Sequence, residues 1–322
     1  FGEINNYIVK RVHKAAEKTK RNNIYHKLSW IRESDQSHEM REIHHPILLF
    51  KNNGCSLSEE IIRRLELEGK TVIVAEQGDY FSKIGSHHYT VSDSQEDYDC
   101  LVKALQSEKV SQIVHLMSIS NEKDKNIYQL QKKISSGVDS LFYLTKSLVE
   151  NTKNNIELML FADLAHQVSG EEPDINPHNA AFFGFGKVIE KEYSRVSVRC
   201  IDLDQNLMAE SILFEINSKK QSELVAYRDR HKYVQELQTE DLSVIREGKI
   251  SIRKNGVYVI TGGMGGLGLE MAKYLSSKEN VQLILIGRSE QQINMEKGNN
   301  KKTDALKEIK ESGSKAEYYK AE

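Results

Sequence analysis

A glycine-rich stretch near the C-terminus carries the residue types and the spacing with the clearest chemistry. It lies between two apolar, strand-like runs, residues 256–260 and 281–286, and a helix-like segment begins at residue 269. The stretch consists of Thr261, Gly262, Gly263, Met264, Gly265, Gly266, Leu267 and Gly268. Glycines here let the chain turn tightly, let backbone N–H groups approach a pyrophosphate, and let the helix pack closely on the strand. Because a strand and a helix flank the glycines, the sequence favours a dinucleotide phosphate site over a purely structural turn.

The residues after the second apolar run indicate which dinucleotide this site would take. In such sites an acidic residue about 20 residues beyond the glycines contacts the ribose 2′-hydroxyl of NAD, whereas an arginine accommodates the 2′-phosphate of NADP. Here the run ends in Gly287, Arg288 and Ser289, with no acid at its tip. Because the guanidinium group is planar and permanently charged, the sequence favours NADPH, with Arg288 and Ser289 among the cofactor-binding residues. A surface arginine without a ligand is the alternative.

The elements that would position this site belong to a repeated strand-and-helix pattern. Strand-like apolar runs occur at residues 46–50, 71–75, 110–116, 156–161 and 196–202. Helix-like segments occur at residues 58–67, 97–105, 127–149, 179–193 and 208–216, and Pro173 and Pro177 mark a loop. This alternation predicts right-handed βαβ crossovers and a mainly parallel sheet. The first strand-to-helix junction, residues 51–55, offers only Gly54, so this region is predicted to be Rossmann-like but to lack a phosphate loop.

Composition excludes several classes of function. The chain has 322 residues, of which 39% are hydrophobic, and its 45 basic and 47 acidic residues leave a formal net charge of -2. Such a chain can build a core, but it has no general basic field for nucleic acid or anionic lipid. No run approaches the ~18 to 20 apolar residues of a membrane span, and the N-terminus has no secretory pattern. We therefore expect a cytoplasmic protein with no nucleic-acid or membrane partner.

Cysteine and histidine spacing does not indicate a metal site. Cys55, Cys100 and Cys200 are odd in number and widely spaced, which is typical of reduced thiols. The histidine pairs at residues 44–45 and 87–88 are adjacent, whereas a helical metal site needs the i, i+4 spacing. We expect these histidines in turns or on the surface, and no metal.

Taken together, these motifs resemble the ketoreductase domains of modular polyketide synthases, which belong to the short-chain dehydrogenase/reductase superfamily. Residues 261–268 and 285–289 resemble that family's cofactor signature nearly letter for letter. Four upstream segments are also similar to the family: residues 25–30, 184–193, 200–204 and 226–234. The resemblance covers about residues 25–322, and the abundance of Lys, Asn and Ile is similar to the trans-acyltransferase branch.

This resemblance implies an α/β fold with two subdomains. Residues 1–24 would be a linker or an amphipathic helix. Residues 25–250 would form a truncated, Rossmann-like structural subdomain that holds no cofactor. Residues 251–322 would form the first part of the catalytic, NADP-binding Rossmann subdomain.

The activity implied by the resemblance is NADPH-dependent reduction of a β-ketoacyl thioester to a β-hydroxyacyl thioester in polyketide biosynthesis. The partners would be an acyl carrier protein bearing a phosphopantetheine-linked β-ketoacyl chain and the neighbouring synthase domains. The family's catalytic Ser, Tyr and Lys or Asn lie far downstream of the glycines, so the resemblance implies no catalytic residue within this chain and no activity for the chain alone. Tyr128 and Lys132 fit the superfamily's Tyr-x-x-x-Lys pattern, but they precede the glycines and are interpreted as a chance match.

Two other readings use the same residues. The first is a non-catalytic scaffold subdomain within a megasynthase, which keeps a nucleotide-binding fold without using it. The second is the reductase of an animal-type fatty acid synthase, which would differ in substrate preference.

Overall fold

The chain divides into two compact units, residues 1–241 and residues 242–322. The computed structural model describes residues 26–33, 39–53, 55–120, 126–172, 174–204, 209–219, 222–239, 251–288 and 300–321. The predicted linker or helix at residues 1–24 lies outside these ranges.

The described residues of the first unit form a 10-stranded sheet. Its strands are β1 (His26–Arg32), β2 (Ile47–Lys51), β3 (Val72–Gln77), β4 (Ser82–Gly85), β5 (His88–Val91), β6 (Gln112–Ser118), β7 (Ile156–Asp163), β8 (Val196–Leu203), β9 (Leu224–Arg228) and β10 (His231–Thr239). The strands are hydrogen-bonded in the order β1-β10-β9-β8-β7-β6-β2-β3-β5-β4. Neighbours from β9 to β5 run parallel, while β10, β1 and β4 add antiparallel strands at the two edges.

The parallel part of this sheet has the Rossmann order. Numbered by their place in the chain, the strands from β5 to β9 run 3-2-1-4-5-6-7, which begins with the doubly wound order 3-2-1-4-5-6. The predicted α/β class with a mainly parallel sheet is confirmed. One crossover is shortened, because the chain passes from β3 to β5 through the short strand β4 in place of a helix.

Helices join the other parallel strands of the first unit, β2 to β3 and then each strand from β5 to β9. They are α1 (Ser56–Leu67), α2 (Gln95–Ala104), α3 (Ile127–Ile134), α4 (Ser140–Asn151), α5 (Pro177–Glu192) and α6 (Ala209–Asn217), with a 3₁₀ turn at Gln106–Glu108. The segment predicted as one long helix at residues 127–149 contains a π-helical insertion, Ser135–Asp139, between α3 and α4. The prediction that Pro177 belongs to a loop is wrong, because Pro177 opens α5, where its missing N–H costs nothing.

Apolar side chains fill both faces of the sheet. Leu48 and Phe50 of β2 belong to one buried cluster, and Ile47 and Leu49 of the same strand belong to another. Alternate residues of a strand point to opposite faces, so β2 is buried on both sides, as expected for a parallel sheet covered by helices. Truncating one of these leucines to alanine would cost about 2–5 kcal/mol of unfolding free energy.

The second unit is a smaller parallel sheet with two described helices. Its elements are β11 (Val257–Thr261), α7 (Gly266–Lys278), β12 (Gln282–Gly287), α8 (Asn300–Glu311) and β13 (Lys315–Lys320), with the sheet order β11-β12-β13. The apolar cluster beneath the helices consists of Ala272, Val281, Leu283, Leu285 and Ile309. The predicted helix start at residue 269 is wrong by three residues, because the last glycines of the turn already form the first turn of α7.

No helix within the described part of the chain is both long and apolar enough to cross a membrane.

Candidate cofactor site

The glycine turn lies at the carboxyl edge of the small sheet. Thr261 ends β11 and pairs with Ile286 near the end of the parallel strand β12. The backbone N–H of Gly263 donates to the carbonyl of Ile286 at 3.1 Å, and the N–H of Gly265 donates to the carbonyl of Gly262 at 2.8 Å. The turn is therefore held against the sheet by backbone contacts alone, which fix its path into α7.

Three of the glycines are required by the fold itself. Gly262 has a φ of +66°, a conformation that residues with a Cβ rarely adopt. A Cβ on Gly263 would lie 2.7 Å from the Cβ of Leu285, and a Cβ on Gly268 would lie 2.5 Å from the carbonyl oxygen of Gly262. These positions allow the tight turn and the close approach of α7 to the strand that the sequence predicts.

Gly266 differs from these glycines, because no atom lies within 4 Å of the position that its Cβ would occupy. It is exposed and is the first residue of α7, whose N-cap residue, Gly265, supplies no side-chain cap. The first N–H groups of a helix have no partner within the helix. Here the space beside Gly266 is open at the positive end of the helix dipole, which is the arrangement that binds a phosphate.

The other predicted site residues divide between core and surface. Met264 packs against the apolar cluster of the second unit, while Leu267 is 91% exposed at the start of α7. Arg288 follows β12 at the same sheet edge as the glycine turn and is exposed. Ser289 lies outside the described residues. The structure thus brings the glycine turn and Arg288 to one edge of one sheet, without showing a contact between them.

Gly287, the last residue of β12, lies next to the candidate site, and the sequence analysis gave it no structural role. A Cβ there would lie 2.8 Å from the hydroxyl oxygen of Tyr318 on β13. The Gly287 carbonyl also accepts a hydrogen bond of 3.0 Å from the N–H of Ala321. The glycine therefore lets β13 approach β12 immediately before Arg288. The sequence signal that could have indicated this role is a glycine at the end of a strand, directly before Arg288.

The donor set of this edge fits a dinucleotide. An uncapped helix N-terminus suits the pyrophosphate, the open space above Gly266 admits it, and the exposed guanidinium of Arg288 suits a further phosphate. No group of three or more His, Cys, Asp or Glu residues that could hold a metal ion occurs within the described ranges.

The chance match at Tyr128 and Lys132 lies in the first unit, on α3. Tyr128 is 73% exposed. The structure therefore places this pair on a different unit from the glycine turn.

One strongly perturbed carboxyl group of the first unit is Asp163, at the end of β7. Burial raises the pKa of Asp163 to about 6, although the N–H of Ser120 donates to its Oδ1 at 3.1 Å and favours the charged form. The side-chain amide of Asn176 donates to Oδ2 at 2.8 Å. These contacts join the ends of β6 and β7 to the start of α5.

A second buried network joins the ends of β8 and β9. The guanidinium of Arg228 contacts Glu172 at 2.9 Å and Asp202 at 3.2 Å, and His166 contacts Asp202 at 3.0 Å. Burial alone would raise the pKa of Glu172, but backbone amides led by that of Ser169, together with Arg228, lower it to about 2. Each buried carboxylate of this network contacts a basic side chain. The network therefore holds the loop that contains His166 and Glu172 against the ends of β8 and β9.

Two family models match the chain. The family described as beta-ketoacyl synthase-like, N-terminal, matches residues 45–220, which is more than half of the chain. The chain belongs to that family. A KR domain model matches residues 256–322, and curated relatives include several polyketide synthases. The chain is therefore a polyketide synthase ketoreductase region with a structural subdomain, as the resemblance in its sequence predicted.

Curated relatives and solved structures agree with this assignment. The ketoreductase region is 33% identical to polyketide synthase PksM of Bacillus subtilis over 47% of the chain, and 27% identical to polyketide synthase PksL of the same organism over 73% of the chain. It spans only 4% and 5% of the length of those two proteins. An N-terminal ketoreductase from the macrolactin assembly line has a TM-score of 0.71 at 24% identity, covering 98% of this chain and 65% of that structure.

A multidomain structure with adenylation, ketoreductase and pseudo Asub domains, from a keto acid-selecting NRPS module, has a TM-score of 0.79 at 22% identity. The match covers 95% of this chain and 26% of that structure. At these identities the two structures establish the fold of the ketoreductase region. The predicted Rossmann-like architecture is thereby confirmed.

Proposed function

We propose that the ketoreductase region takes part in NADPH-dependent reduction of a β-ketoacyl thioester, carried by an acyl carrier protein, to the β-hydroxyacyl thioester. The observation that carries this proposal is the glycine turn between β11 and α7, in which Gly266 faces open space at an uncapped helix N-terminus. We assign the structural subdomain to residues 25–250 and the start of the catalytic subdomain to residues 251–322. The division of the chain into two compact units between residues 241 and 242 supports this assignment.

Each part of the site has a separate task in binding the cofactor. The N–H groups at the start of α7 receive the pyrophosphate, and the absence of a side chain at Gly266 lets it approach the backbone. Arg288, with Ser289 beside it in the sequence, receives the 2′-phosphate and thereby selects NADPH over NADH. When bound, the nicotinamide supplies the hydride for ketone reduction.

The chemical step also needs a group that donates a proton to the developing alkoxide. We assign that role to no residue of this chain. By the resemblance, the Ser, Tyr and Lys or Asn groups that serve this step in the family lie far downstream of the glycines. The acyl carrier protein and neighbouring synthase domains are the proposed partners of the ketoreductase region.

Ligand-observed NMR, which detects weak binding, tests the cofactor site directly. Saturation transfer to NADPH is expected to exceed transfer to NADH, and Gly266→Val should abolish it, because the new side chain fills the space above the α7 amides. Gly184→Val is the matched control, since Gly184 is also helical, exposed and without an atom within 4 Å of its Cβ position. Arg288→Ala should reduce the NADPH signal to the NADH level.

Two results would contradict the proposal. The first is an NADPH signal that Gly266→Val leaves unchanged. The second is equal transfer to NADPH and NADH in the unmodified chain.

The scaffold reading remains a second candidate because of the first unit. That unit has the Rossmann strand order, but the described residues of its first strand-to-helix junction contain no glycine that could form a phosphate loop. If the region acts only as a scaffold, the Gly266→Val variant should bind neighbouring synthase domains as well as the unmodified chain does. The assembled synthase should then also show no reductase activity.

A further inference from the structure

The first unit has a topological switch point where doubly wound folds bind ligands. Strands β2 and β6 are parallel neighbours, with Phe50 paired to His115. From β2 the chain crosses through α1 to β3 on one side, and from β6 it crosses through α3 and α4 to β7 on the other. Ligands in open α/β sheets bind in the crevice beyond the carboxyl ends of two such strands. The glycine turn described above belongs to the other unit, so it leaves this position unassigned.

A cleft of about 580 Å³ lies at this position, which we name the switch-point cleft. Small-molecule sites typically have volumes of roughly 300–1,000 Å³. Its described lining comes from the segments after β2 and at the end of β6, and from α3 with the π-helical insertion. The lining residues are Asn52, Asn53, Cys55, Met117, Ser118, Ile119, Ser120, Asn126, Tyr128, Gln129, Lys132, Lys133 and Ser136.

One wall of the cleft is the N-terminal end of α1. Its N-cap residue, Cys55, lines the cleft and supplies no side-chain hydrogen bond to the helix. The first N–H groups of this 12-residue helix therefore lack a side-chain cap. The acid in the first turn, Glu59, is neutralised by Lys51 at 2.8 Å, and Lys51 also contacts Glu76 at 2.8 Å. The helix end retains its partial positive charge toward the cleft.

An independent observation comes from Ser118, at the end of β6. Ser118 is only 7% exposed, and its Oγ has no hydrogen-bond partner among the described residues. Buried hydroxyl groups in native proteins are almost always paired, so this hydroxyl has a hydrogen bond to offer to a group that enters the cleft. The π-helical insertion leaves room for this oxygen, because a Cβ on Gly137 would lie 2.6 Å from it. Insertions of this kind occur often at functional sites.

The facing wall of the cleft adds positive charge and an aromatic ring. Lys132 is exposed on α3 and has no ion pair within the described part of the chain, and Lys133 follows it. Tyr128, one turn earlier, is 73% exposed at the rim, where its ring can stack on a planar group. These are the two residues that fit the Tyr-x-x-x-Lys pattern in the sequence. Their spacing of four places them on one face of the helix.

We propose that the switch-point cleft binds a small phosphate monoester of the nucleotide type. The phosphate lies between the α1 N-terminus and Lys132, the Ser118 hydroxyl donates to it, and the base lies against Tyr128. The lack of a glycine-rich loop after β2 argues against a dinucleotide pyrophosphate and leaves room for one phosphate group. The first unit then carries a ligand site of its own, separate from the proposed cofactor site.

Calorimetric titration of the full chain with AMP and with inorganic phosphate tests this assignment. We expect AMP to bind more tightly than phosphate. Lys132→Gln should weaken AMP at least tenfold, while the exposed control Lys153→Gln changes nothing. Gly266→Val should leave AMP binding intact, which separates this site from the glycine turn and keeps the test independent of the proposed function.

Ser118→Ala distinguishes a ligand-binding role from a structural one. Removing an unpaired buried hydroxyl should raise the melting temperature of the ligand-free chain and lower its affinity for AMP. Three results would overturn the proposal: no binding of AMP or phosphate at millimolar concentration, AMP binding that Gly266→Val abolishes, or AMP binding that neither Lys132→Gln nor Ser118→Ala weakens.

Discussion

Asp163 is a residue whose surroundings should make stability depend on pH in an unusual direction. Burial raises its pKa to about 6 from a usual 3.8. A carboxyl group with a raised pKa in the folded state adds stability below its unfolded pKa, and this contribution is lost as the pH rises through the folded value. Above pH 6 the buried group is a charged carboxylate, and the free energy of unfolding is lower than it is at acid pH.

The corresponding prediction compares Asp163→Asn with the unmodified chain. The unfolding free energy of the unmodified chain, relative to that of the variant, should fall by up to about 3 kcal/mol between pH 4 and pH 7, since one pKa unit corresponds to about 1.4 kcal/mol. Urea unfolding at several pH values measures this difference. The exposed Asp79→Asn provides the control, and a difference that stays constant over this range would contradict the assignment.

Among the secondary-structure elements, the π-helical insertion between α3 and α4 makes a testable contact. A Cβ on Gly137 would lie 2.6 Å from the Oγ of Ser118 but at an ordinary 3.7 Å from Ser118 Cβ and from the ring of Phe182. Gly137→Ala should therefore destabilise the chain by about 1–3 kcal/mol through overpacking. In the Ser118→Ala background the same change should stabilise it by up to about 1 kcal/mol, because alanine favours helix over glycine.

A double-mutant cycle in urea measures this change of sign. Gly184→Ala should be stabilising in both backgrounds, since its Cβ position is open. Equal effects of Gly137→Ala in the two backgrounds would show that the Ser118 hydroxyl is not the obstacle.

The strands and helices could be predicted from the sequence wherever apolar spacing was regular. The cores of β2, β3, β6, β7 and β8 coincide with the predicted runs, because strands buried on both faces are continuous apolar segments. The short strands β4 and β5 were missed. Tyr89 and Val91 of β5 are its buried residues, and an alternation of two apolar residues is too short to recognise. The π-helical insertion was also missed, since its residues keep the helical apolar spacing.

The candidate site was predictable in composition but not in the role of each glycine. The sequence indicates that glycines serve the turn, the approach of a phosphate and helix packing. Only the backbone geometry shows that Gly263 and Gly268 meet neighbouring atoms while Gly266 meets none. The switch-point cleft left no sequence signal, because its walls come from segments that the sheet order brings together.

In the whole molecule, the two units differ in how completely their sheets are covered. Strand β7 pairs on both sides and is buried almost throughout. Among the described strands β11 pairs with β12 alone, and Val257 and Val259 are each 58% exposed. Local opening is easiest where few apolar contacts and few paired neighbours hold a strand. The amides of β11 should exchange with deuterium at least roughly tenfold faster than those of β7, as measured by peptide-resolved mass spectrometry. Equal protection of the two strands would contradict this expectation.

The open space at Gly266 also has a consequence for how such regions change over evolutionary time. Selection for folding holds glycine at positions 263 and 268, where any side chain would strike the backbone or Leu285, but folding places no such demand on position 266. A descendant that kept its architecture after losing cofactor binding would therefore drift first at position 266, toward residues that favour the start of a helix. The residue found at this single position in natural relatives would then distinguish regions that still bind the cofactor from regions that keep only the fold.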